Sequence, residues 1–263
     1  MEPITAITLS IDNGVAIVSL ANPVRGNPID GEFGIEFKRI AAQLHGNADI
    51  RAVLLRAEGN NFSVGGDLKV FHEAGEGLPS LVLAWTADLH AALQRFWRLP
   101  VPIVAAVQGF VMGGALSLVA GCDVVLGGAS VKMGSAFSKI GFSCDSGSSV
   151  TLSARMGAAR ARRFVLLAEI LHSEDALQTG LVDQIVPDEQ LQETALTLAI
   201  QLANGPTAAY GQIKRLFAQA SASSLENQLE EEALALARIC ASQDAKEGIA
   251  AQVQRRKAEF RGC

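Results

Sequence analysis

The chain has 263 residues, 49% hydrophobic and 19% charged, with 22 basic against 27 acidic side chains and a formal charge of -5. That length suits one large domain or a domain with an appendage, able to bury roughly three quarters of its unfolded surface without disulfides or a structural metal. The charge offers no electrostatic footprint for nucleic acid. The four cysteines (Cys122, Cys144, Cys240, Cys263) lack metal-site spacing such as C-x-x-C and read as reduced thiols. A mean hydropathy of +0.26 makes a membrane span the first alternative, and Leu99 to Cys122 is the segment to test. Pro100, Pro102, Gly109, Gly113 and Gly114 would break such a helix repeatedly, so no span is expected. Met1 to Ser10 shows no basic stretch followed by a long apolar core, and a cytoplasmic protein is the expectation.

In chain order, Ile7, Leu9 and Ile11 precede Asp12-Asn13-Gly14, and Val15, Ile17 and Leu20 follow it, which predicts a hairpin. Phe33, Phe37, Ile40, Ala41 and Leu44 repeat at helical spacing, and Ile50 to Leu55 reads as a buried strand. A loop rich in Gly and Asn spans Glu58 to Asp67, and Ser80 is expected to cap a helix running to about Arg98. Val101 to Val107 is a short apolar run of the kind found in buried parallel strands. Gly113 to Gly121 is a small-residue helix, and Asp123 to Leu126 and Val131 to Met133 are further strands. The alternation predicts a layered α/β core. Beyond Gly147, apart from a strand over Val182 to Val186, helical period dominates, through Leu191 to Leu202, Ala208 to Phe217, Leu225 to Ile239 and Ile249 to Phe260. An α/β core over 1–200 and a helical C-terminal region over 201–263 are therefore expected.

Three segments carry chemistry. Asn61 to Asp67 contains the pair Gly65-Gly66, which lets a backbone N–H face a cleft, although such pairs are also common in turns. Gln108 to Ser117 runs from a strand into a helix opened by Gly113-Gly114, whose unsatisfied N–H groups suit a developing oxyanion or, equally, allow tight helix packing. It matches neither a P-loop nor G-x-S-x-G, so Ser117 lacks the context of a nucleophile. Phe137 to Ser149 holds Asp145 and Ser146 just before a helix, where capping is the default reading of either residue.

Together these segments resemble the crotonase, or enoyl-CoA hydratase/isomerase, superfamily over essentially the whole chain. The match lies in Asn27-Pro28-Ile29, Phe62 to Leu68 (FSVGGDL), Pro102 to Gly114 (PIVAAVQGFVMGG), Cys122-Asp123, Gly180-Leu181-Val182, Glu247-Gly248 and Arg256-Lys257 to Phe260. The resemblance implies a crotonase fold of repeated ββα units with a C-terminal helical trimerisation region, assembling as a homotrimer or a hexamer of two trimers. It implies an acyl-CoA thioester as substrate, no cofactor beyond that coenzyme A, no metal and no membrane. Gly66 and Gly114 fall at the two oxyanion donors. Val64, Asp67, Phe137 and Phe142 fall in the substrate-binding motifs, and Arg25, Lys69 and Lys257 are candidates for the coenzyme A phosphates.

The sequence departs from the hydratase branch, which carries two water-activating glutamates where this chain has Ser117 and Phe137. Asp145 stands where isomerase branches carry a catalytic aspartate, in a context (IGFSCDSGSS) similar to ring-modified phenylacetyl-CoA isomerases. One carboxylate suffices for a 1,3-proton shift through a dienolate. The expected activity is thus enoyl-CoA double-bond isomerisation. The alternatives are enoyl-CoA hydratase, a hydrolase resembling 4-chlorobenzoyl-CoA dehalogenase in which His90 assists Asp145, or an acyl-CoA-binding module without turnover. At His90, simple helix packing is the default reading, and substrate choice is expected to lie in Phe71 to Ala84 and the C-terminal helices.

Overall fold

A computed structural model describes residues 5–263. The first four residues of the N-terminal stretch considered for a signal thus lie outside the described residues. Strands β1 (Ile7–Asp12) and β2 (Val15–Leu20) form the expected antiparallel hairpin, with Asp12 opposite Val15. Asn13 and Gly14 between them have φ of +48° and +76°, the left-handed pair that a two-residue turn of matching twist requires.

Helix α1 (Gly31–His45) is capped by Asp30, whose carboxylate accepts from Phe33 N at 3.1 Å. Strand β3 (Ala52–Ala57) leads through the Gly/Asn loop to α2 (Leu68–Ala74), a short helix without a periodic apolar signature, and then to α3 (Leu78–Trp97). The last begins two residues before Ser80, because Pro79 occupies its first turn and the preceding 3-10 turn feeds into it; no side chain caps it.

Next come β4 (Ile103–Val107), β5 (Phe110–Met112), α4 (Gly114–Ala120), β6 (Val124–Gly128) and β7 (Lys132–Gly134). The apolar stretch Leu99 to Cys122 is therefore strand, strand and short helix, and no helix among the described residues is long and apolar enough to cross a membrane. The remaining elements are α5 (Ser148–Met156), α6 (Ala158–Leu167), β8 (Ile170–His172), α7 (Ser173–Thr179), β9 (Gln184–Val186) and α8 (Asp188–Ala203). They are followed by α9 (Thr207–Ala220), α10 (Leu225–Cys240) and α11 (Gln243–Gln254). The final helix stops six residues short of Phe260 because Arg255 turns left-handed, at φ +54°.

The main sheet runs β1-β2-β3-β4-β6-β9, parallel from β2 onward, and a small sheet runs β5-β7-β8. The central parallel strands are buried on both faces, while the edge strand β1 is largely exposed. Val53, Leu55, Ile103 and Ala105 face the core under α1, α3 and α4. Ala52, Leu54, Val104 and Ala106 face the apolar stripe Leu191, Ala195, Ala199 and Ala203 of α8.

The helices beyond Ala203 are held to this core by polar ties. Arg51 reaches Gly205 O, Thr207 and Phe260 O, and Lys214 reaches Val101 O and Asp123. They leave large apolar side chains in solvent, Phe217 at 82% and Val253 at 79% exposure among them.

Candidate active site

The two glycine pairs meet at the edge where the sheets join. Loop residue Ser63 pairs with β5: its N–H donates to Phe110 O at 2.9 Å, and Met112 N donates back to Ser63 O at 3.1 Å. Asn27 supports the loop from the other side. Its amide nitrogen donates to Glu58 O and Asn61 O, and its amide oxygen accepts from Asn22 N. Gly65 has φ of +88°, and a Cβ there would lie 3.1 Å from Met112 O; a Cβ at Gly113 (φ +56°) would lie 3.8 Å from Gly65 Cα. A side chain at Gly65 would crowd the Met112 carbonyl, and at both glycines the positive φ disfavours any larger residue.

Peptide planarity then sets the donors. Gly65 O accepts from Ile29 N at 2.9 Å, so the N–H of Gly66, on the opposite side of the same trans peptide, points the other way. Gly113 O accepts from Leu116 N and Ser117 N at 3.1 and 3.4 Å, so the Gly114 N–H points out of the start of α4. Neither N–H donates to a protein acceptor among the described residues. Both glycines line one cavity of about 680 Å³.

That cavity also holds Asp145. The expectation that Asp145 or Ser146 caps α5 is corrected by the structure: the N-cap is Gly147, at φ +76°, and no side chain caps the helix. What anchors the turn is the Asp145 main-chain carbonyl, which accepts from Ser148 N at 3.0 Å, Ser148 Oγ at 2.7 Å and Ser117 Oγ at 3.3 Å. Ser117 is fully buried, so the residue at the hydratase glutamate position serves here as an anchor. The Asp145 side chain, 36% exposed, is left to face the cavity.

His90 is not a packing residue. It is half exposed on α3, with Nε2 2.8 Å from Asp145 Oδ1. The imidazole N–H can donate to the carboxylate, and His90 itself is not among the residues that line the cavity. Ser146 Oγ lies 3.1 Å from the other carboxylate oxygen.

Of the other expected binding residues, Val64, Phe137 and Phe142 line the cavity. Asp67 is engaged elsewhere: it caps α2 through Lys69 N and Val70 N and accepts from Arg25 at 2.6 Å. Arg25 also reaches Asp30 at 2.8 Å and so ties together the caps of α1 and α2. The Arg25 guanidinium holds the Asp67 carboxyl below its usual range, with the two N–H groups helping against partial desolvation. Lys69 and Lys257 are exposed, form no salt bridge among the described residues and do not line the cavity.

Residues that the motifs did not single out complete the wall. Phe71 of α2 stacks at a tilt between Trp85 of α3 and Phe142, with centroids 5.5 and 5.6 Å apart, and Leu78, Val82 and Leu83 extend the apolar surface. The helical register of α3 places Val82 with Trp85 and Thr86 on one face, and all three line the cavity. No group of acidic, His and Cys side chains suited to a metal occurs among the described residues.

A family model described as enoyl-CoA hydratase/isomerase matches residues 10–263. The chain belongs to that family. Within it, this chain is 32% identical over 253 residues to a 1,2-epoxyphenylacetyl-CoA isomerase from Escherichia coli K12, covering 96% of this chain and 97% of the relative. It is 26% identical to a trans-2-decenoyl-[acyl-carrier-protein] isomerase from Streptococcus mutans, over 97% and 98% of the two chains. The crystal structure of an enoyl-CoA hydratase from Polaromonas sp. JS666 superposes with a TM-score of 0.91 at 27% identity, over 97% of this chain and 99% of that one. The crotonase fold and an acyl-CoA enzyme thus follow from the family, which includes isomerases and hydratases alike.

Proposed function

We propose that this enoyl-CoA hydratase/isomerase family enzyme is a double-bond isomerase, with Gly66 and Gly114 N–H as the oxyanion donors and Asp145 as the proton shuttle. The observation that carries the reading is the Asp145 carboxylate, released from helix capping and facing the cavity that both glycine N–H groups border. Asp145 removes a proton from the carbon between the thioester and the double bond. The charge that develops on the thioester oxygen is stabilised by the two N–H groups, each donor worth about 2.7 to 4 kcal/mol in a water-excluded site. The carboxylic acid so formed returns the proton at the far end of the dienolate, and the double bond moves into conjugation. No cofactor beyond the coenzyme A of the substrate enters this scheme. Conversion of 3-enoyl-CoA to 2-enoyl-CoA, followed at the thioester absorbance, tests it: turnover lost in Asp145→Asn with thioester binding retained supports the assignment. An Asp145→Asn variant that still isomerises refutes it.

The 2.8 Å contact between His90 and Asp145 favours one second reading, attack of the carboxylate on the halogen-bearing ring carbon of an aryl-CoA thioester, with halide leaving, followed by His90-assisted hydrolysis by water of the aryl ester so formed at Asp145. Release of halide from a 4-halobenzoyl-CoA with a transient ester at Asp145 would identify that chemistry. Arg25, Lys69 and Lys257 remain the candidates for the coenzyme A phosphates. The exposed apolar side chains of α9 to α11 support assembly as a homotrimer or hexamer. Light scattering that gives a monomer in dilute solution would remove that part of the proposal.

A further inference from the structure

The turn before α5 holds a second polar group that the proton-shuttle scheme does not use. Ser146 is 1% exposed yet borders the cavity, and its φ of +56° is a left-handed conformation that glycine adopts freely and serine does not. Strained residues of this kind cluster at functional sites. Its hydroxyl lies 3.1 Å from Asp145 Oδ2, while His90 Nε2 lies 2.8 Å from Oδ1, so each carboxylate oxygen has its own donor. On its other side the same hydroxyl abuts the oxyanion peptide: a Cβ added to Gly114 would meet Ser146 Oγ at 3.0 Å. One buried O–H therefore touches both halves of the site.

We propose that Ser146 is a positioning residue for the isomerisation, fixing the plane of the Asp145 carboxylate relative to the thioester oxygen held at Gly114. The proposal rests on the reading of Asp145 as the base. A hydrogen bond at each oxygen removes the free rotation of the carboxylate about its last bond, so the lone pair that takes the proton keeps one direction through both transfers. With its backbone left-handed, at φ +56°, the hydroxyl reaches the side chain of its own neighbour in the chain.

The test compares Ser146→Ala, Ser146→Gly and Asp145→Asn, measuring kcat, KM and Tm with 3-hexenoyl-CoA as probe. In both Ser146 variants kcat is expected to fall about tenfold or more, as for a lost hydrogen bond to a charged group, with KM within about twofold. Because glycine relieves the strain and alanine does not, Ser146→Gly should melt above Ser146→Ala. A merely structural serine predicts that activity tracks Tm, with the glycine variant the more active. That result, or wild-type kcat in both variants, or a rise in KM alone, overturns the proposal while an inactive Asp145→Asn leaves the base assignment standing. A wild-type enzyme that does not isomerise the probe, or an active Asp145→Asn, overturns both.

Discussion

Asp67 and Asp145 both stand just ahead of short helices, and the chain uses them in opposite ways. At Asp67 the side chain is spent on structure: two helix N–H groups and the Arg25 guanidinium surround it. At Asp145 the main-chain carbonyl takes over the anchoring, through three donors, and the carboxylate stays free of the backbone. The difference comes from Gly147, which supplies the N-cap geometry in place of a side chain, and from two serines. A carboxylate becomes available for chemistry when something else holds the turn it sits on.

The largest expected effect in this pair is that of Asp145→Asn, which should lower isomerase turnover by about 10²- to 10⁴-fold and leave Tm nearly unchanged, since the carboxylate caps nothing. A melting temperature that falls as far as the activity would erase the contrast. Next comes Gly65→Ala. A methyl group at φ +88°, 3.1 Å from Met112 O, must twist the peptide that aims the Gly66 N–H, and loss of one such donor should cost about 10²- to 10³-fold in kcat. Steady-state kinetics on well-folded variant protein checks this. His90→Gln should lower kcat by about tenfold, the value of a hydrogen bond to a charged group, with circular dichroism unchanged. Wild-type turnover in that variant would show that the His90 contact with Asp145 plays no part in turnover.

The smallest effect belongs to Asp67→Asn, which keeps a good capping side chain and loses an ion pair whose Arg25 member is 40% exposed, worth about 1 kcal/mol or less. Tm should drop by about 4 °C or less with little change in kcat. The pH dependence sharpens the point. Because Arg25 lowers the Asp67 carboxyl in the folded state, its contribution is present above the unfolded carboxylate value and fades as pH falls through the folded one. The gap in Tm between wild type and Asp67→Asn should therefore close on acidification from about pH 6 to about pH 3. A gap that widens would show that the pair does not stabilise the fold.

Much of the architecture was legible locally. Asn13-Gly14 fixes the hairpin and Val101 to Val107 announces a strand buried on both faces, with β4 occupying Ile103–Val107. The ordered glycine motifs mark where backbone approaches backbone. The stop of α11 was not legible, because nothing in Gln252 to Phe260 forces Arg255 to positive φ, nor was α2, too short to show a period. Within the site, residue types and order pointed to Gly66, Gly114 and Asp145. Side-chain direction did not follow, since capping and non-capping aspartates look alike until Ser117, 28 positions away, is seen holding the carbonyl. The Phe71, Trp85 and Phe142 stack was hidden for the same reason: it joins three segments across the cavity.

The donors at Gly66 and Gly114 are main-chain groups, aimed by carbonyls bonded to Ile29 and to the first turn of α4. No side-chain exchange on the facing wall can delete them. Leu78, Val82 and Leu83 on α3 can be traded for larger, smaller or polar residues while the grip on the thioester persists. The fold thus separates what is inherited from what can be tuned, so a library confined to that face of α3 should yield altered acyl preference far more often than inactive enzyme.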